Sequence, residues 1–316
     1  MKLLITGANG FVAKNFIKYY GELGNLCLLD RDPIPDNYHS KTIIKNIDSK
    51  TNYADCIQDV DCIIHCAARV HLMSDESSDP LKAYREVNTA GTINFAKQAI
   101  DAGVKRFIFI SSIKVNGENT NDAKPFSSHS PRMPEDFYGR SKSEAEEALL
   151  ELSKSSSLEV VIIRPTLVYG PGVKANFASL MRLAGKGIPL PFSCVSGNLR
   201  SLVSVRNLVD LICVCIRHPK ANGEIFLVSD EHDISTSDMA RMMSRAMNKS
   251  VFQIPVPVWC FRLIGKLFRR EDMVERLIGS LQVDISHTKN TLNWTPPQSM
   301  NDAFKETADY IRNHKV

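Results

Sequence analysis

Tyr138 and Lys142 stand four residues apart in FYGRSKSEAEEALL, a run with helical periodicity. One helical turn would therefore set a phenol beside an ammonium. A phenol titrates near ~10 and is a poor base at neutral pH. A neighbouring cation favours its anion, and bringing the ionisation down by roughly three pH units is worth ~4 kcal/mol. A serine pair, Ser111 and Ser112, ends the apolar run RFIFISS and supplies a hydroxyl for the reacting oxygen. Phenol, ammonium and hydroxyl suit the interconversion of an alcohol and a ketone, provided that a hydride acceptor is held beside them.

The sequence offers a place for that acceptor. TGANGFVA starts at Thr6, between the strand-like KLLIT and the helical FVAKNFIKYYGEL. Gly7 permits a tight turn, Gly10 lets a pyrophosphate approach the backbone, and Ala13 leaves room for the helix to pack on a sheet. Helix N–H groups and the helix dipole favour negative charge at that point. The turn's candidate cofactor contacts are Gly7, Asn9, Gly10, Phe11 and Val12. Asp30 ends the second strand, twenty-three residues after Gly7. A carboxylate there accepts hydrogen bonds from ribose hydroxyls and favours NAD. Arg31 follows and could clamp a 2′-phosphate instead, which keeps NADP as the alternative. Asn46 and Ile47, after TIIK, and the small Ala67 and Ala68 ending IIHCAA are further candidates. So is Pro165, at the end of LEVVIIRP. Lys142 would hold the nicotinamide ribose, and Tyr138 is a further cofactor-binding candidate. Asn88 sits inside a long helical run, where an amide is locally unfavourable. It either orients a loop or a water chain near the site, or is a surface amide.

These groups need a scaffold. KLLIT, NLCLLD, TIIKNI, DCIIHCAA, RFIFISS and LEVVIIRP read as strands, with helical patterns between them. DPLKAYREVNTAGTINFAKQAIDAG reads as one long helix, with proline near its start and Gly103 at its end. Alternating strands and helices imply right-handed crossovers and a parallel sheet. Continuously apolar strands imply a sheet covered on both faces. The expected fold is α/β, a doubly wound dinucleotide-binding sheet, with residues 1–170 as the NAD(P)-binding domain. Residues 171–316 are expected to form a smaller substrate-binding region, some of whose elements return to the first sheet. VWCFRLIGKLFRR alternates aromatic and aliphatic residues with four cations. It could lie on a membrane surface; the preferred reading is a helix packed over the substrate region with a solvated basic face.

Composition excludes several classes. The chain has 316 residues, 43% hydrophobic and 23% charged, as a globular protein does. A net charge of +4, with no basic run, gives no case for nucleic acid. No stretch approaches the ~18 apolar residues of a membrane span. MKLLITG offers no signal-peptide core. The eight cysteines form no CxxC pair and mostly lie in apolar runs, so no metal is expected. They read as reduced residues of a cytoplasmic protein.

In order along the chain, TGANGFVA, HCAA, VNTAGT, SSIKVNG, YGRSK and RPTLVYGPG resemble the extended short-chain dehydrogenase/reductases. The nearest resemblance is to the nucleotide-sugar epimerase/dehydratase group that contains UDP-galactose 4-epimerase. It covers essentially the whole chain. It implies a catalytic set of Ser112, Tyr138 and Lys142, NAD(P) on the first sheet, and a UDP-sugar held by the C-terminal region. By motif position, Asn176 would contact the substrate diphosphate or sugar, and Arg200 the pyrophosphate. Asp284 and Trp294 match a motif that looks structural. The group often forms homodimers through two helices, here residues 80–102 and the Tyr138 helix. Asn46, Asn116 and Leu167 depart from the epimerase pattern, which leaves the sugar open. AARVH and SSIKVNG also resemble a sister group in bacterial surface-polysaccharide synthesis that includes reductases of UDP-4-keto-6-deoxy-N-acetylhexosamines. Dehydratases of this family carry an acid pair beside the serine, whereas Ile113 and Lys114 follow Ser112 here. The expected activity is therefore 4-epimerisation of a UDP-sugar, with 4-keto reduction as the alternative and a non-catalytic dinucleotide sensor as a remote one.

Overall fold

A computed structural model describes residues 1–34, 40–70, 79–120 and 124–314. The first half alternates as expected: β1 (Lys2–Thr6), α1 (Phe11–Tyr20), β2 (Asn25–Asp30), β3 (Lys41–Ile44), α2 (Ala54–Ile57) and β4 (Cys62–His65). α3 (Pro80–Arg85) and α4 (Thr92–Asp101) follow, then β5 (Arg106–Ile110), α5 (Phe137–Lys154) and β6 (Glu159–Pro165). Later elements are β7 (Leu167–Tyr169), α6 (Ala175–Gly185), β8 (Arg200–Ser204), α7 (Val205–Arg217), β9 (Ile225–Val228) and β10 (Asp233–Ile234). The remaining helices are α8 (Thr236–Ala246), α9 (Val258–Leu267), α10 (Glu271–Ile278), α11 (Ser286–Leu292) and α12 (Met300–Asn313).

Seven parallel strands form one sheet in the order β3-β2-β1-β4-β5-β6-β9. The order reverses at β1, so the carboxyl ends of β1 and β4 flank the crevice where such sheets bind ligands. Both faces are covered. Leu3, Ile5, Ile64, Ile108 and Ile163 pack towards α1 and α7. Leu4, Leu29, Ile63, Phe107 and Ile162 pack towards α4 and α5. Burying each such side chain fully contributes about 1.5–3 kcal/mol. β9, from the second half, joins the sheet beside β6, while β7, β8 and β10 form a small second sheet. A third apolar cluster ties α6, α8 and α12 together around Tyr169, Phe177 and Phe304.

Two expected elements differ. The long helix is not continuous: residues Glu86–Gly91 form a π-helical turn between α3 and α4. The run from Val258 to Gly279 is two helices broken at Phe268–Arg270, where Arg269 has φ +52°. His71, in AARVH, lies outside the described residues.

Candidate active site

Two ties fix the end of β5 against the N-terminus of α5, and Ser112 lies between them. Before it, Lys142 Nζ donates to the Ile110 carbonyl at 2.8 Å and sits 4.3 Å from the centre of the Phe109 ring. After it, a 3₁₀ turn (Ile113–Val115) carries Lys114, whose ammonium meets the Asp136 carboxylate. Asp136 in turn caps α5, accepting from the Gly139 N–H at 2.6 Å. Gly139 allows the close approach: a Cβ there would lie 2.7 Å from the Lys114 carbonyl oxygen. The two serines separate clearly. Ser111 is buried and donates to Glu146, whereas Ser112 is half-buried and its Oγ accepts from the Lys114 N–H at 3.3 Å. Ser112 is thus the serine left for a substrate.

Tyr138 is half-buried on the first turn of α5, with its ring edge-on to Tyr84 at 6.4 Å. Here the expected electrostatics need correction. Burial, then the Asp136 carboxylate and the Tyr84 phenol, push the Tyr138 phenol above its ordinary value. Lys142 is committed to Ile110 and Phe109 and is not among the charges acting on it. Burial draws Lys142 itself down to about 8, against the pull of Cys66 and Glu146. No cation among the described residues offsets that rise.

The cofactor turn fits a dinucleotide. Gly7 has φ +67°, and a Cβ there would lie 2.8 Å from the Ala67 backbone, so the β1 turn and the β4 end close on each other. α1 begins at Phe11 and Val12 with no side-chain cap and no acid in its first turn, which leaves its N–H groups for an anion. Asp30 Oδ2 accepts from the Asn9 N–H at 2.8 Å, which orients the carboxylate beside the turn. Arg31 is exposed and pairs with Asp32 at 3.3 Å. Thr6 Oγ1 accepts from the Ala67 N–H at 3.1 Å and lies 2.9 Å from His65 Nδ1, while His65 Nε2 lies 3.0 Å from Thr92 Oγ1. Burial, then Lys142, takes His65 down to about 3, so it stays neutral and serves as a spacer under Ala67 and Ala68. Asn88 is fully buried in the π turn. Its Oδ1 accepts from the Arg69 N–H at 2.7 Å, and its Nδ2 donates to the Arg69 carbonyl and Ser141 Oγ, each at 3.0 Å. It is the loop-orienting amide, not a surface one. The π turn swings it inward while Gly91 abuts Ile47. Asn46 is exposed, its carbonyl accepting from Tyr53. Pro165 is buried opposite Val228 at the end of β6.

A family profile described as "Epimerase: NAD dependent epimerase/dehydratase family" matches residues 3–229. The chain is 55% identical over 308 residues to a UDP-glucose 4-epimerase from Vibrio cholerae, covering 97% of this chain and 94% of that protein. The chain belongs to the NAD dependent epimerase/dehydratase family. It is also 25% identical to an N-acetyl-alpha-D-glucosaminyl-diphospho-ditrans,octacis-undecaprenol 4-epimerase from Escherichia coli O157:H7, over 98% of this chain and 94% of that one. The fold is that of the UDP-glucuronic acid 4-epimerase from Bacillus cereus solved with NAD, at TM-score 0.80 and 20% identity over 99% of both chains.

Within this family frame the substrate side is more open. Arg200 is half-buried at the start of β8 and donates to the Gly279 carbonyl at 3.1 Å, so it is not a freely exposed arginine. Burial, then the nearby Arg276 guanidinium, lowers its proton affinity, with Glu118 opposing. Arg276 pairs with Glu118 at 3.0 Å, and Glu118 also pairs with Lys114 at 2.8 Å. A chain of alternating charge therefore runs from the α5 cap to Arg276, a residue that sequence reasoning missed. Asn176 is exposed on the first turn of α6, and Leu167 is exposed on β7. Trp294 is buried and donates to Asp210 at 2.7 Å, and Asp284 accepts from the Ser286 N–H at 2.8 Å.

Also missed was the support beneath the site. Glu146, one turn beyond Lys142, forms a fully buried pair with Arg164, whose Nη1 donates to Asn116 at 3.0 Å. The i, i+4, i+8 spacing of Tyr138, Lys142 and Glu146 was the available signal. The eight cysteines are all free; Cys194 is exposed, and Cys66, Cys213 and Cys260 are partly so.

Proposed function

We propose that this chain inverts C4 of a UDP-hexose, with UDP-glucose and UDP-galactose as its pair, and that Ser112, Tyr138 and Lys142 carry the chemistry. The 55% identity to a UDP-glucose 4-epimerase across 97% of the chain carries this reading. The double tie around Ser112 supports the residue roles. NAD held on the Gly7–Gly10 turn would supply a reversible hydride acceptor for C4 and, in its oxidised form, a positive charge.

Tyr138 accepts the 4-hydroxyl proton and later returns it. A phenol raised by burial gains most from an arriving cation, because the same dry surroundings strengthen that attraction. Ser112 hydrogen-bonds the 4-oxygen and orients it. Lys142, seated on the Ile110 carbonyl, holds the ribose hydroxyls and keeps a positive charge within the site. Inversion requires the sugar to present its other face while the diphosphate stays anchored. Arg200 and Arg276 provide that anchor, since guanidinium forks match phosphate oxygens. Asn176 reaches the sugar or diphosphate from α6. A homodimer through α3, α4 and α5, which lie side by side on one face of the sheet, belongs to the same reading. So does a cytoplasmic setting, supported by eight free cysteines.

The test is incubation of the purified protein with UDP-glucose and no added reductant. UDP-galactose should form without net redox change. A requirement for stoichiometric NAD(P)H with a 4-keto sugar would instead establish the reductase.

A further inference from the structure

Helix α9 does not bury its apolar face. Phe261 stacks on Phe192 at 6.1 Å and holds one side of α9 to the body of the protein, while Gly265 lies against Val274 of α10. The other side carries Trp259, Leu263 and Leu267 at four-residue spacing, with Ile264 and Phe268 beside them. All five are exposed, Leu267 at 75% and Trp259 at 64%. This corrects the expectation that the helix packs over the substrate region and leaves only a basic face in water.

Residues 258–270 hold Arg262, Lys266, Arg269 and Arg270 and no acid. All four cations are exposed, and Lys266 and Arg262 border the apolar stripe by helical position. The acids of the region, Glu271, Asp272 and Glu275, begin or lie on α10, and Glu275 pairs with Arg262 at 3.1 Å.

We propose that α9 is an interfacial helix that docks this protein on an anionic lipid surface. An apolar stripe edged by cations matches a bilayer's acyl boundary and its anionic headgroups at the same depth. A second copy is the weaker match, because symmetry would bring like-charged rims together. α9 leads directly into α10, which carries Arg276, so docking would place the diphosphate anchor close to the membrane surface.

Trp259 makes the proposal measurable, since the only other tryptophan, Trp294, is buried. The full chain is titrated with vesicles of phosphatidylglycerol and phosphatidylcholine, and with phosphatidylcholine alone. Emission should shift to the blue and the protein should sediment with the anionic vesicles only. Binding should weaken at least about tenfold in Lys266→Glu/Arg269→Glu/Arg270→Glu. It should be lost in Leu263→Ser/Leu267→Ser, with turnover of a soluble UDP-sugar unchanged. Absence of binding, or equal binding to neutral vesicles, overturns the proposal. So does a lipid-free dimer that Leu263→Ser/Leu267→Ser dissociates, which would give the face to a second copy.

Discussion

The α5 side of the site and the α9–α10 side are built on opposite principles. Around α5, Lys142, Ser141, Glu146 and Arg164 are buried, and the polar atoms described above meet partners from β5, β6 or the π turn. Around α9, large apolar side chains face water, and the charges are exposed. A buried polar group is costly unless it is satisfied, so the α5 network tolerates few alternatives and holds Ser112 and Tyr138 in one geometry. An exposed helix held by Phe261 and Gly265 is constrained far less. In the proposed reaction the chemistry would sit on the rigid side, and the substrate's carrier would meet the loose one.

The contrast breaks most severely at the phenol. Tyr138→Phe removes the proposed proton acceptor and leaves the ring packed on Tyr84. Turnover should fall by about 10²–10⁴-fold. NAD affinity and melting temperature should change little, as titration and thermal unfolding would show. A variant that turns over as well as the parent would remove Tyr138 from the chemistry.

Glu146→Gln tests whether the α5 network is as unforgiving as its burial implies. The substitution leaves the fully buried Arg164 charge without its counter-ion, at a cost of about 3–5 kcal/mol in denaturant unfolding. Replacing both partners by apolar residues of similar volume should cost less than either single change. A loss below about 1 kcal/mol for the single variant would mean that the Asn116 Oδ1, 3.0 Å from Arg164 Nη1, satisfies the guanidinium without the carboxylate.

Much of this was legible beforehand, and the boundary between read and unread is physical. The strands, the glycine turn and the Tyr–Lys spacing are local patterns, set by residues within a few turns of each other. The Glu146–Arg164 pair and the Glu118–Arg276 pair join residues 18 and 158 positions apart; helical spacing puts Glu146 on the face of Lys142, but nothing local names its partner. The π turn at Glu86–Gly91 escaped because its cause is tertiary: Asn88 must reach Arg69 and Ser141, and Gly91 must clear Ile47. The Tyr138 electrostatics were misread because spacing reports proximity along a helix and not direction. Lys142 points at Ile110, one strand away. For α9 the pattern revealed an amphipathic helix, but not that its apolar side would find no partner within the described chain.

pH sharpens the comparison by separating stability from activity within one residue. Lys142 titrates at about 8 in the folded protein, against an ordinary value of 10.5. Between those limits the unfolded chain binds more protons than the folded one, so this group adds to stability as pH rises through that window. Activity should move the other way, because in the proposed reaction the Lys142 ammonium holds the ribose hydroxyls. kcat/KM should fall about tenfold per pH unit above pH 8 while the melting temperature holds or rises. A profile that falls together with the melting temperature would point to unfolding instead.

The smallest effect belongs to the loose side. Leu267→Ser alters a side chain that is 75% exposed, so its cost in urea unfolding should stay within about 0.5 kcal/mol. The same change at a buried position such as Leu149 would create a cavity and an unsatisfied hydroxyl, costing at least about 2 kcal/mol. If Leu267→Ser proved as costly as the buried change in dilute, lipid-free solution, α9 would already be covered there by another chain. The two sides of the site would then differ in their partner, not in their rigidity.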